Sequence, residues 1–345
     1  MSARLVLPLL LLPAMAGAQG FAGLGTEAGA FRMPERGYAF DFPADHGPHP
    51  GFRIEWWYVT ANLDGADGAT YGLQWTLFRS ALTPDAAADG PGQLWMGHAA
   101  VTTETAHHMT ERLSRGGIGT AGVVAEPFEA WIDEWRMAGP SFDDLTLTAA
   151  GPDFAYDVAL SAEGPLVLHG DAGFSVKSAA GQASHYYSQP FYDVVGTLTL
   201  PDGEVAVTGQ AWLDREWSSQ PLAAEQIGWD WFSLSFEDGD KLMGFRLREA
   251  DGGAFTAATW IGADGSAEAL PDGRLAAEPL GVAEVAGREV PVRWRLTLAE
   301  KGLDVTVAAL NEQAWMDSAF PYWEGPVTVT GSHAGRGYLE MTGYE

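Results

Sequence analysis

Four ionisable residues sit among tryptophans at strand-like spacing in the middle of this 345-residue chain. Asp214, Arg215 and Glu216 lie between Trp212 and Trp217, and Asp230 lies between Trp229 and Trp231. Charged groups lose hydration among aromatic rings, so each needs an internal partner, a wet cavity or a chemical task. On an extended strand, residues two apart share a face, which groups Gln210, Trp212, Asp214 and Glu216. Neighbouring carboxylates about 6.6–7 Å apart along that face can divide labour, one neutral as an acid and one ionised as a water-activating base. A structural ion-pair network built on Arg215 is the competing reading.

Further candidates follow from the same alternation. Asp230 shares its face with Phe232, Leu234 and Phe236, where a carboxyl either holds its proton and serves as an acid or pairs with an arginine. Glu55 aligns with Trp57, Val59, Ala61 and Leu63, and an ion pair with Arg215 across two domains would satisfy both charges. His185 and Tyr187, in the segment HYYSQP, suit a proton relay or a hydrogen-bonded structural loop. Trp57, Trp212, Trp217, Trp229 and Trp231 are expected to line an apolar cavity, although barrel cores use tryptophan too. There is no Gly-x-Ser-x-Gly element for a serine nucleophile and no His-Glu-x-x-His pair. His107 and His108 are adjacent, so a strand sends them to opposite faces; neither a metal nor a cofactor is expected.

The elements that must position these residues are short. Runs at 54–63, 71–78, 94–103, 128–137, 145–149 and 156–162 are separated by Gly, Pro, Asp and Asn, with hairpin-turn chemistry at 64–68. A second series covers 194–200, 205–213, 229–236, 241–248, 256–261, 290–299, 303–309 and 327–332, with turns at 201–204 and 237–240. Each series reads as an antiparallel meander closing on itself, as in calycin-type barrels. The expected fold is therefore all-β, with two tandem barrels packed together.

Residues 1–18 read as a signal peptide: Arg4, an apolar run from Leu5 to Met15, and small residues at Ala16 and Ala18 that place cleavage after Ala18. The expected divisions are a strap at 19–37 and domains at 38–193 and 194–345. A periplasmic or secreted location follows, and no later run is apolar enough to span a bilayer. The chain has no cysteine, so buried cores must stabilise it without disulfides. A formal net charge of −27 repels phosphate backbones, which excludes nucleic acid as a partner. With 14 Trp and 43 Gly the chain suits rigid aromatic packing between tight turns.

EWWYVTANL at 55–63, HYYSQP at 185–190, GQAWLDREW at 209–217, GWDW at 228–231, YWEG at 322–325 and GYLEMTGY at 337–344 together resemble the AttH/CrtC lipocalin-like family. The resemblance spans roughly residues 38–345 and implies two lipocalin-like barrels with a ligand cavity. The family includes carotenoid 1,2-hydratases and exported bacterial proteins often encoded beside envelope ABC permeases. The hydratase motif is richer in histidine where this chain has Asp214 to Trp217, which favours the exported branch. The resemblance thus implies a protein that binds an apolar or amphipathic ligand, a lipid or isoprenoid, as an accessory of an ABC transporter permease. The alternative is a hydratase that adds water to an isoprenoid double bond, with Asp214 or Asp230 as acid and Glu216 placing the water.

Overall fold

The computed structural model describes residues 28–344, so the signal peptide and the first part of the strap lie outside the described residues. Two large, curled antiparallel sheets account for the fold, one a nearly closed barrel and the other a half-barrel. The chain is all-β, as its alternation and turns require, and its curled antiparallel sheets have the lipocalin-like form that the resemblance implies.

The first sheet is built from two meanders. Ile54–Gly65, Thr70–Ala81, Gln93–Thr102 and His107–Arg115 run outward from its centre on one side. Ala121–Val124, Phe128–Ile132, Trp135–Ser141, Asp144–Ala150 and Ala155–Ala162 run back from the far edge on the other. Two long strands, Ala183–Leu200 and Gly203–Ser218, join the halves, the latter pairing with Ile54–Gly65. The boundary expected at 193/194 falls inside Ala183–Leu200, because both long strands complete the first sheet; the second sheet begins at Gln226. The run expected as one strand at 128–137 is a hairpin, with Asp133 in the left-handed region at φ 51° turning the chain.

The second sheet centres on Gln226–Phe236, flanked by Lys241–Glu249 and Gly335–Met341. Tyr322–Gly331, Leu303–Ala309, Arg288–Leu298 and Ala276–Val285 continue it in one direction, Ala254–Ile261 and Ala267–Leu270 in the other. Gly68 and Gly239, at φ 86° and 94°, occupy left-handed positions in the turns expected at 64–68 and 237–240, where a side chain would strain the backbone.

Alternation gives the central strands two buried faces. Trp57, Val59, Ala61 and Leu63 point into the first barrel with Trp75, Trp95 and Trp135. Phe232, Leu234, Trp294 and Trp323 fill the second. The remaining faces meet in a third core between the sheets, where Tyr58, Tyr186 and Trp212 pack with Trp231, Phe245, Leu247 and Tyr338. A strand with a core on each side is buried along its length, as residues 211–219 are.

Candidate active site

The face of Gly203–Ser218 that carries Asp214 and Glu216 turns away from the first barrel and toward the second sheet. Together with Tyr58, Tyr186, Trp229, Trp231 and Glu340 it encloses a chamber of about 90 Å³. That space suits a few waters or the end of a ligand.

Asp214 is buried and accepts three hydrogen bonds, from Ser188 Oγ, from Trp212 Nε1 at 2.7 Å and from Tyr186 Oη at 2.9 Å. Burial outweighs these bonds and, with the nearby Glu216 charge, pushes its carboxyl up to about 7. Tyr186 accepts from Trp231 Nε1 at 3.1 Å, so a residue of the second sheet helps to orient an acid of the first. Behind Asp214, Ser188 Oγ lies 2.6 Å from His169 Nε2, and His169 Nδ1 lies 2.9 Å from Thr259 Oγ1. With the Ser188 proton given to Asp214, His169 Nε2–H donates to Ser188 and Thr259 donates to Nδ1. This is not a serine-nucleophile triad, since the serine hydroxyl serves the carboxylate directly.

Glu216 is held differently: Lys177 Nζ lies 2.9 Å from its Oε1, and Ser184 donates to the same oxygen. The Lys177 ammonium also lies over the rings of Tyr186 and Phe245, at 4.7 and 4.3 Å. Two further acids come from the second sheet. Glu340 accepts from Trp229 Nε1 at 3.1 Å, and burial, reinforced by Asp214 and Glu216, pushes its carboxyl up to about 8. Glu324 pairs in register with Glu340 and accepts from Tyr58; burial and the Glu340 charge hold its carboxyl well above the usual range. Tyr322, which also bonds Glu324, lies 2.9 Å from His98 Nδ1, whose Nε2 lies 3.2 Å from Glu111.

The chamber adjoins a larger, mainly apolar vestibule of about 610 Å³. Ile54, Phe78, Trp229, Tyr322 and Glu340 line both spaces. Strand register arranges the vestibule wall in rows. Trp56, Phe78, Met96 and Leu113 continue outward from Glu216, while Ile54, Ser80, Leu94 and Arg115 continue from Ser218. The structure therefore combines an acid-lined inner end with an apolar approach.

Of the residues singled out in the sequence, Asp214, Glu216, Trp229 and Trp231 line the chamber, and Trp212 braces Asp214. Asp230 points instead into the second barrel, where Arg246 at 3.0 Å, Arg248 at 3.4 Å and Tyr344 at 2.8 Å surround it. His185 and Tyr187 lie on the opposite face of their strand from the chamber. His185 packs against Tyr38 and Trp217, and burial lowers it to about 4; Tyr187 Oη lies 2.7 Å from His46 Nδ1. The residue between them, Tyr186, is the one that reaches the site.

Glu55 and Arg215 pair at 2.6 Å within the first barrel, not across domains, because both occupy its inward-facing register. Arg79 shares Glu55, and the Arg215 guanidinium lies 3.8 Å from the Trp57 ring and 5.2 Å from the Trp217 ring. Those two tryptophans thus cage an arginine inside the barrel and do not line the chamber. Tyr58, Glu324 and Glu340 were missed by the sequence reading. Alternation marks Tyr58 as opposite to Glu55, but the two glutamates become site residues only through the pairing of Tyr322–Gly331 with Gly335–Met341.

This topology and site define a lipocalin-like protein with an acid-lined chamber between its two sheets. The chain belongs to the AttH-like family, whose model matches residues 33–344. The crystal structure of an AttH-type protein from Nitrosomonas europaea superposes with a TM-score of 0.80 at 33% identity, covering 90% of this chain and 98% of that one. Kievitone hydratase from Nectria haematococca superposes with a TM-score of 0.69 at 17% identity, covering 92% of this chain and 98% of that one, which shows a shared fold. No curated protein matches the sequence.

Proposed function

We propose that the protein takes an apolar or amphipathic ligand into the vestibule and adds water to a double bond held at the chamber end. The observation that carries this reading is the pair of carboxyls of the buried Asp214 and the half-buried Glu340, raised to about 7 and about 8 beside the ion-paired Glu216, at the inner end of an apolar approach. A passive carrier needs the vestibule but not the acids. The resemblance in fold to a hydratase is consistent with the proposal and does not carry it.

In this reading Glu340 or Asp214 gives its proton to one alkene carbon, leaving a cation on the other. The faces of Trp229 and Trp231 and the nearby carboxylates stabilise that charge. Water attacks the cation and loses its proton to Glu216, and proton transfer among the carboxyls restores the starting state. The net change is addition of one water. Because the acid must carry its proton, the rate should fall as pH rises through about 7 to 8.

Incubation with acyclic isoprenoids in oxygen-18 water provides the test. Wild type should incorporate label, and Glu340→Gln or Asp214→Asn should lower incorporation by roughly 10²–10⁴-fold while retaining binding of a polyene probe. Absence of label in every protein, with probe binding intact, would leave a ligand-binding barrel without hydratase activity towards these substrates.

A further inference from the structure

The outer end of the vestibule carries a feature that neither water addition nor apolar binding uses. Arg115 ends the strand His107–Arg115, is exposed, and lines the vestibule beside Leu94 and Leu113. Among the described residues no carboxylate forms an ion pair with it. The chain carries a formal charge of −27, and acids pair with many of its other arginines, including Arg36, Arg112, Arg295 and Arg336. Around Arg115 the rim is apolar: Leu94, Leu113 and Phe320 are 44%, 64% and 47% exposed. Large exposed apolar side chains grouped at a cavity mouth mark a surface that is covered in use.

Register fixes how far this cation lies from the acids. Glu216, Trp56, Phe78, Met96 and Leu113 are successive cross-strand neighbours, and Arg115 is two residues beyond Leu113 on the same face. Four strand spacings and one such step give roughly 20 Å along the sheet. A ligand spanning the vestibule therefore meets a guanidinium at one end, apolar side chains along its length, and the acid-lined chamber at the other. Of these, only Arg115 can distinguish one end of a chain from the other by charge before the ligand enters.

We propose that Arg115 anchors the headgroup of a long-chain amphiphile bearing an anionic oxyacid, a carboxylate or phosphate, and so directs the unsaturated tail toward Glu340 and Asp214. The guanidinium fork matches either headgroup, and the mouth's partial exposure lets that headgroup keep part of its hydration. A neutral hydrocarbon would enter without orientation. This inference rests on the ligand-binding half of the proposed function and adds the substrate class.

The test compares cis-parinaric acid with its methyl ester by fluorescence titration. Wild type should bind the acid roughly five-fold more tightly than the ester, the magnitude expected of a charge-assisted contact at a partly exposed site. Arg115→Gln should abolish that preference, so that acid and ester bind alike; Arg115→Lys should keep most of it. Salt should shrink the preference in wild type and in Arg115→Lys, and have no preference to shrink in Arg115→Gln. Displacement of the ester by farnesyl phosphate or by oleate, each against its neutral alcohol, separates a phosphate from a carboxylate headgroup. Equal binding of acid and ester by wild type, or an acid preference that survives Arg115→Gln, overturns the headgroup role while leaving the cavity intact. Binding of neither probe overturns both the headgroup role and the cavity reading.

Discussion

Glu340 shows how a carboxyl held between two sheets can lower stability. Its carboxyl is raised from the ordinary 4.5 to about 8 by burial and by the neighbouring charges. Below about 4.5 the folded and unfolded chains both hold this proton. Between 4.5 and about 8 the unfolded chain releases it and the folded chain keeps it, so this group lowers stability as pH rises, with the full penalty above 8. Gln at this position can still accept from Trp229 and carries no charge. Glu340→Gln should therefore be more stable than wild type to urea at pH 8, with the difference vanishing near pH 4. A constant difference across that range would mean that Glu340 does not titrate between the two states. Asp214 follows the same sign, whereas Glu55, held well below its ordinary value by Arg79 and Arg215 despite full burial, contributes stability that is lost as pH falls below about 4.5. Sequence alone marked Asp214 and Glu216 because period-two alternation puts them on one face. It could not mark Glu340, whose neighbours depend on which strands pair.

The strand Ala183–Leu200 explains why alternation misled at His185 and Tyr187. Up to Gln189, its odd-numbered residues face the first barrel and Tyr186 and Ser188 face the chamber. The register then gains one residue between Gln189 and Tyr192, so that Tyr192, Val194 and Leu198 face the barrel instead. Pro190, which has no N–H to give the ladder, lies in this bulge. The bulge switches the barrel-facing parity from odd to even along one strand, and nothing in HYYSQP states which side is which before the pairing is known. Inserting one alanine between Tyr187 and Ser188, where the pairing with Arg215 and Asp214 is regular, should shift the register by one and force either His185 and Tyr187 or Ser188 and the residues beyond it onto the wrong face. The expected result is loss of the cooperative thermal transition and of near-ultraviolet circular dichroism. Deletion of Asp89, in the exposed stretch before Gln93, should leave both signals in place and serves as the control.

At the scale of the molecule, the site exists only where the two sheets meet. Tyr58 of the first sheet bonds Glu324 of the second, Trp231 of the second bonds Tyr186 of the first, and the packed layer between them is buried on both sides. Strand pattern and turn residues made the two meanders legible, yet they did not show that the faces turned away from each barrel form a third core. Both sides of that layer present apolar residues at the spacing of an ordinary barrel interior, so the sequence does not tell one core from the other. The seam should couple the sheets into one folding unit, and Gly72 offers a way to test this. A Cβ at Gly72 would lie 2.5 Å from Pro326 Cγ and 2.7 Å from Tyr338 Oη, both on the second sheet. Gly72→Leu must therefore push the sheets apart, while each barrel keeps its own core. Wild type should melt in one transition. The variant should melt lower and in two steps, and should bind cis-parinaric acid more weakly because Glu340 and Trp229 move away from Asp214 and Tyr58. A variant that melts once at the wild-type temperature and binds the probe equally well would show that neither cooperativity nor the chamber depends on the seam.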